Sequence, residues 1–66
     1  MLIELDDCFI NPTHVSGLVV FSGQKIVYLY LSGEKTISWT KDSREEAIKF
    51  MKEIKNKLFP PNQINL

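Results

Sequence analysis

One six-residue segment limits the folds open to this chain more than any other. Ser22-Gly23-Gln24-Lys25 recurs ten positions later as Ser32-Gly33-Glu34-Lys35, and between the copies runs Ile26-Val27-Tyr28-Leu29-Tyr30-Leu31, apolar or aromatic throughout. Two turn signals bracketing one β-rich run predict a meander of strand, hairpin, strand, hairpin, strand. In a strand, alternate side chains point to opposite faces, so Ile26, Tyr28 and Tyr30 share one face and Val27, Leu29 and Leu31 the other. Both faces of the middle strand are therefore apolar and both need cover.

The flanking sequence supplies the other elements. Leu2-Ile3-Glu4-Leu5 and Cys8-Phe9-Ile10 read as two short strands joined at Asp6-Asp7, whose side chains suit a turn. Asn11-Pro12 breaks the second strand, because proline excludes the α region at the residue before it. Val15 to Phe21 is the next strand, with Ser16-Gly17 marking a bulge near its start. Lys25 to Leu31 and Lys35 to Thr40 complete the meander; in the last, Ile37 and Trp39 face one way and Thr36, Ser38 and Thr40 the other.

Ser43-Arg44-Glu45-Glu46 is a capping box and starts a helix over about 43–59. Acids in its first turn and lysines in its last match the macrodipole. Ala47, Phe50, Met51, Ile54 and Leu58 form one stripe at helical spacing, flanked by Ile48. Pro60-Pro61 ends the helix near Phe59. The expected architecture is α+β: an antiparallel β-meander of four to five strands with one C-terminal helix on a face. Residues 1–59 form a single domain and 60–66 a proline-initiated tail. Ile64 and Leu66 stand at strand spacing in that tail, which is expected to fray or to dock on a neighbour's sheet edge.

Size then bears on function. A chain of 66 residues buries only about 60% of the surface its unfolded form exposes, so it gains from a staple. Cys8 has no second cysteine to pair with, and His14 is the sole histidine, which excludes an intrachain disulfide and a multi-ligand Cys/His zinc site within one chain. A partner subunit is the staple that remains. The unpaired cysteine points to a reducing compartment. With no signal peptide and no membrane-length apolar run, the expected location is the cytoplasm.

Net charge is zero but unevenly spread. Residues 1–22 carry three acids and no Lys or Arg (−3), residues 23–42 three lysines against two acids (+1), and residues 43–66 five basic residues against three acids (+2). A neutral total disfavours bulk nucleic-acid binding. Lys49, Lys52 and Lys55 nevertheless line a helical ridge, which makes them candidate anion-binding residues for a phosphate backbone, with stacking on Tyr28, Tyr30 or Trp39. Such lysines are more often a solvated helix face.

Other chemistry is thin. Cys8 and His14 are the residue types of a nucleophile–base pair, with Asp6 or Asp7 to orient the imidazole. Their spacing requires no contact and no oxyanion-hole motif accompanies them, so a core cysteine and a corner histidine are the favoured reading. Asp6-Asp7 supplies fewer oxygens than the roughly six a hard cation wants and reads as a turn. No catalytic residue, metal ligand or cofactor is expected.

Leu5-Asp6-Asp7, Ile10-Asn11-Pro12, Val15, Leu31-Ser32-Gly33-Glu34-Lys35 and Ser43-Arg44-Glu45-Glu46-Ala47 together resemble the FlbD family, small proteins encoded in bacterial flagellar operons, and similar short phage-encoded proteins of β-meander-plus-helix form. The resemblance implies the same fold and a bacterial or phage setting, and supplies no catalytic residues. The functional expectation is a small non-enzymatic regulatory or adaptor protein that binds protein or ligand as a homo-oligomer, a phage-encoded host-directed inhibitor being one such role. The alternative is a nucleic-acid-binding regulator using the basic helix face. Aromatic residues are enriched at interfaces, so the interface is expected at Tyr28, Tyr30, Trp39, Ile64 and Leu66.

Overall fold

The computed structural model describes residues 2–60. Its elements follow the order β1 (Ile3–Leu5), β2 (Cys8–Ile10), a 3-10 turn (Pro12–His14), β3 (Val15–Val19), β4 (Ile26–Leu31), β5 (Lys35–Thr40) and α1 (Arg44–Leu58). This is an α+β fold. The five strands form two antiparallel sheets, a β1–β2 hairpin and a β3-β4-β5 meander. The division falls at Asn11-Pro12. The Asn11 side chain accepts from the Thr13 N–H and hydroxyl (3.1 and 2.9 Å), and the His14 N–H donates to the Asn11 carbonyl. That corner turns the chain out of the hairpin before β3 begins, so β2 and β3 do not pair.

Register in the meander follows from its loops. Ser32, Gly33 and Glu34 join β4 to β5, with Gly33 at φ +81° and Glu34 at φ +63°. This tight reversal sets Leu31 opposite Lys35 and hence Leu29 opposite Ile37 and Val27 opposite Trp39. On the other side β4 pairs with β3, Leu18 opposite Leu29 and Val19 opposite Tyr28, with a register shift between Val15 and Gly17. The bulge expected at Ser16-Gly17 is therefore present. Gly17 leaves room for the Tyr30 ring there: an added Cβ would come within 3.2 Å of it, and the ring would have to shift by a few tenths of an ångström.

Ser43 caps the helix, its hydroxyl accepting the Glu46 N–H at 3.2 Å. The Phe59 N–H closes the other end on the Lys55 carbonyl at 2.8 Å. The first helical residue, Arg44, is also tied to the sheet. Its Nη1 donates to the carbonyls of Phe21 (2.6 Å) and Gln24 (3.1 Å), fixing the helix start against the β3–β4 turn. Replacing Ser43 with alanine leaves the Glu46 N–H without its acceptor and is expected to lower stability by about 1 kcal/mol in urea unfolding. Unchanged stability would mean that the cap hydrogen bond contributes nothing net.

The core is one cluster: Leu5 and Ile10 from the hairpin, Val27, Leu29 and Trp39 from the meander, and Ala47, Ile54 and Leu58 from the helix. Val27, Leu29, Ala47 and Ile54 have no exposed surface. The helix stripe thus covers the Val27–Leu29–Leu31 side of β4. The hairpin packs beside the helix in the same cluster, so it does not cover the opposite side of the meander. Among the described residues no polar or charged side chain is buried.

Candidate functional site

The opposite side of the meander is the candidate site. Parity and register place Gly17 and Val19 of β3, Ile26, Tyr28 and Tyr30 of β4, and Thr36, Ser38 and Thr40 of β5 on it, with Phe21 just past β3. Its middle is an aromatic ladder. Phe21 and Tyr28 rings lie 5.5 Å apart and tilted, and Tyr28 and Tyr30 lie 6.3 Å apart and nearly parallel at 12°. Beside the ladder runs a row of exposed hydroxyls on β5. None of these positions holds a charged residue. Tyr28 and Tyr30 are half-buried and Phe21 is 47% exposed, with no other element packed over them among the described residues. A tyrosine buried under the helix would have left its hydroxyl facing an aliphatic stripe without a partner; on this side it reaches water.

Trp39, grouped with the tyrosines in the interface expectation, is on the other side of the sheet. It pairs across from Val27, is 9% exposed and meets Phe50 edge-on at 5.3 Å. The Lys41 ammonium covers the same Phe50 ring at 3.9 Å, a cation–π contact that shields the end of the core. Ile64 and Leu66 lie outside the described residues. Phe21 joins the ladder without having been expected there; its signal in the sequence is its place across the Ser22-Gly23 turn from Tyr28.

Lys49, Lys52 and Lys55 are all exposed on the helix. The helix covers one side of the sheet and the tyrosines lie on the other, while Trp39 is in the core. A single strand of nucleic acid cannot touch the lysine ridge and stack on the tyrosines at once without wrapping around the molecule. Lys49 also borders a shallow depression of about 280 Å³ with Glu46 and Glu53, whose carboxylates oppose its charge.

Cys8 and His14 are not joined by a hydrogen bond. The Cys8 thiol donates to the Leu5 carbonyl at 3.3 Å across the hairpin, and His14 is exposed in the 3-10 turn with its carbonyl accepting the Ser32 N–H at 2.8 Å. Burial raises the thiol pKa, and the adjacent Asp7 and Asp6 raise it further, since each disfavours a thiolate. Cys8 is accordingly expected to alkylate with iodoacetamide more slowly at pH 8 than a free cysteine, and Asp7→Asn to speed it. A rate at or above that of free cysteine would contradict this. Asp6, at φ +56°, sits with Asp7 in the hairpin turn, and no third His, Cys, Asp or Glu gathers with them among the described residues.

A second apolar feature lies at the far end of the meander. Leu2 and Phe9, 61% and 65% exposed, border a recess of about 380 Å³ with His14, Leu31 and Lys35. No helix among the described residues is long and apolar enough to cross a membrane. No family model matches the chain, and no curated protein or solved structure matches it either.

Proposed function

We propose that this chain is a small regulatory or adaptor protein of the cytoplasm that works by binding, and that it associates with itself through the open side of the β3-β4-β5 meander. The observation that carries the reading is a sheet face that no other element covers among the described residues and that holds an aromatic ladder and no charge. Charged residues are depleted and aromatics enriched at the centres of protein interfaces. An uncharged face also meets a copy of itself without repulsion, which suits the self-complementary contact of a two-fold pair. The size of the chain supports the same reading, because a 66-residue domain with no disulfide gains most from a partner subunit.

The nucleic-acid alternative is the weaker reading, since its two ingredients lie on opposite sides of the molecule. An NMR dilution series tests the self-association. Self-association through the open face predicts concentration-dependent amide shifts at Val19, Tyr28, Tyr30 and Ser38, with Lys49, Lys52 and Lys55 unmoved. Shifts confined to the helix lysines, or no shifts at all, would contradict it.

A further inference from the structure

Alternation in the first hairpin leaves two large apolar side chains without a place in the core. Ile3 pairs with Ile10 and Leu5 with Cys8, and all four pack on the core cluster. Glu4 and Phe9, paired with each other, therefore face outward, with Leu2 just ahead of β1. Leu2 and Phe9 are the most exposed large hydrophobic residues among those described. Their surroundings are concave. The corner at Asn11–His14 parts the two sheets, and the Ser32 N–H bond to the His14 carbonyl holds the β4–β5 turn against that corner. The recess of about 380 Å³ lies between them. Its far wall is Leu31, on the helix side of the meander with Lys35 opposite it, so the recess is separate from the open aromatic face.

The polar part of the lining consists of donors. The Asn11 side-chain oxygen already accepts two hydrogen bonds from Thr13, which leaves the amide NH2 as its free group. Among the described residues no hydrogen bond engages that NH2, the His14 ring, the Ser32 hydroxyl or the Lys35 ammonium. Lys35 brings a positive charge, and no acid opposes it in the lining: Glu4, opposite Phe9, and Glu34, next to Lys35, lie outside it.

We infer that this recess binds a small aliphatic carboxylate. Its alkyl chain lies along Leu2, Phe9 and Leu31, and its carboxylate meets the Lys35 ammonium, with Asn11, His14 and Ser32 as further donors. Apolar walls with a few convergent polar groups are the usual make-up of a small-molecule site. The volume is at the small end of the usual range, about 300–1,000 Å³, and suits an unbranched chain of about eight carbons better than a polycyclic ligand. A carboxylate accepts at both oxygens and does not donate, so it matches donors around a positive charge; an ammonium of the same length does not. The site goes beyond the self-association proposed above and does not depend on it.

The test is an NMR titration of the full chain with sodium octanoate, with butanoate and octylammonium compared at the same ionic strength. Saturable amide shifts at Phe9, His14, Ser32 and Lys35 are expected with octanoate. Each buried methylene adds about fourfold in affinity, so octanoate binds at least about tenfold tighter than butanoate even in a half-open recess. It also binds at least about tenfold tighter than octylammonium. Lys35→Glu, at an exposed position, reverses that last preference, and Phe9→Ser weakens octanoate at least about tenfold. No saturable shift up to about 10 mM octanoate overturns the proposal, as does equal binding of octanoate and octylammonium. Shifts centred on Tyr28 and Tyr30 also overturn it, because the alkyl chain would then sit on the open face. Light scattering of Phe9→Ser without ligand keeps the two proposals apart. Unchanged association with octanoate binding lost supports a ligand site. Lost association would make the recess a contact between copies and overturn it. Octanoate binding that is absent from a wild-type chain that still associates removes the ligand site and leaves the open-face reading standing.

Discussion

Leu29→Ala lowers the unfolding free energy by about 3 kcal/mol, the middle of the range for deleting a buried leucine side chain. Leu29 has no exposed surface and lies at the centre of the meander, between Leu18 and Ile37, beneath the helix. The removed methyl groups leave a cavity lined by three strands that cannot collapse without breaking register. At about 0.05–0.15 kcal/mol per residue, a 66-residue chain has a total stability of only about 3–10 kcal/mol. The substitution therefore removes a third or more of it, and part of the population unfolds at 37 °C. Urea unfolding followed by helix circular dichroism, at one fixed protein concentration because association also stabilises, measures the loss. A change below about 1 kcal/mol would show that Leu29 is not in a close-packed core. Thr36→Ala, on the exposed side of β5, is the control and stays within about 0.5 kcal/mol.

Tyr30→Lys acts on association rather than on the fold. Tyr30 is half-buried, with its ring over Gly17 and parallel to Tyr28. A lysine keeps the aliphatic stem on the sheet but places an ammonium group in the middle of an uncharged face. In a two-fold pair each copy brings that charge to the same interface, and the two faces can then meet only by stripping water from both ammonium groups. Removing a central aromatic anchor typically costs 2 kcal/mol or more of binding, about a thirtyfold loss of affinity, before the charge is counted. Circular dichroism should be unchanged while the association constant falls at least thirtyfold. Association at wild-type strength in Tyr30→Lys would place the interface elsewhere on the molecule. Lys49→Glu, on the helix, is expected to leave association unaltered.

Much of the architecture was legible because local signals agreed with one another. The paired Ser-Gly turns, the Ser16-Gly17 bulge, the Ser43 cap and the proline stop each act over a few residues, so they can be read without knowing the fold. What could not be read was the relation between elements. Val27-Leu29-Leu31 and Ile26-Tyr28-Tyr30 are both apolar enough to meet a helix. The choice depended on tertiary packing: Ala47 lets the helix approach closely, and the stripe around it offers a tyrosine hydroxyl no partner. Trp39 was misplaced for the same reason. Its side of β5 follows from alternation, but the side of β4 it joins follows from the length of the Ser32–Glu34 loop, which sets Trp39 opposite Val27. The separation into two sheets hinged on the Asn11 side chain closing a 3-10 turn rather than letting β2 run on into β3. In the candidate site Tyr28 and Tyr30 were legible, while Phe21 was not, because its role appears only once β3 and β4 are paired.

Light scattering of the intact chain across a dilution series from about 1 mM to about 1 µM tests the central claim most directly, since a specific association of ordinary strength dissociates within or below that range. The account predicts a mass at least twice 7.6 kDa at the upper end. A folded chain of 7.6 kDa at every concentration would contradict it, and the open aromatic face would then not be an interface between copies.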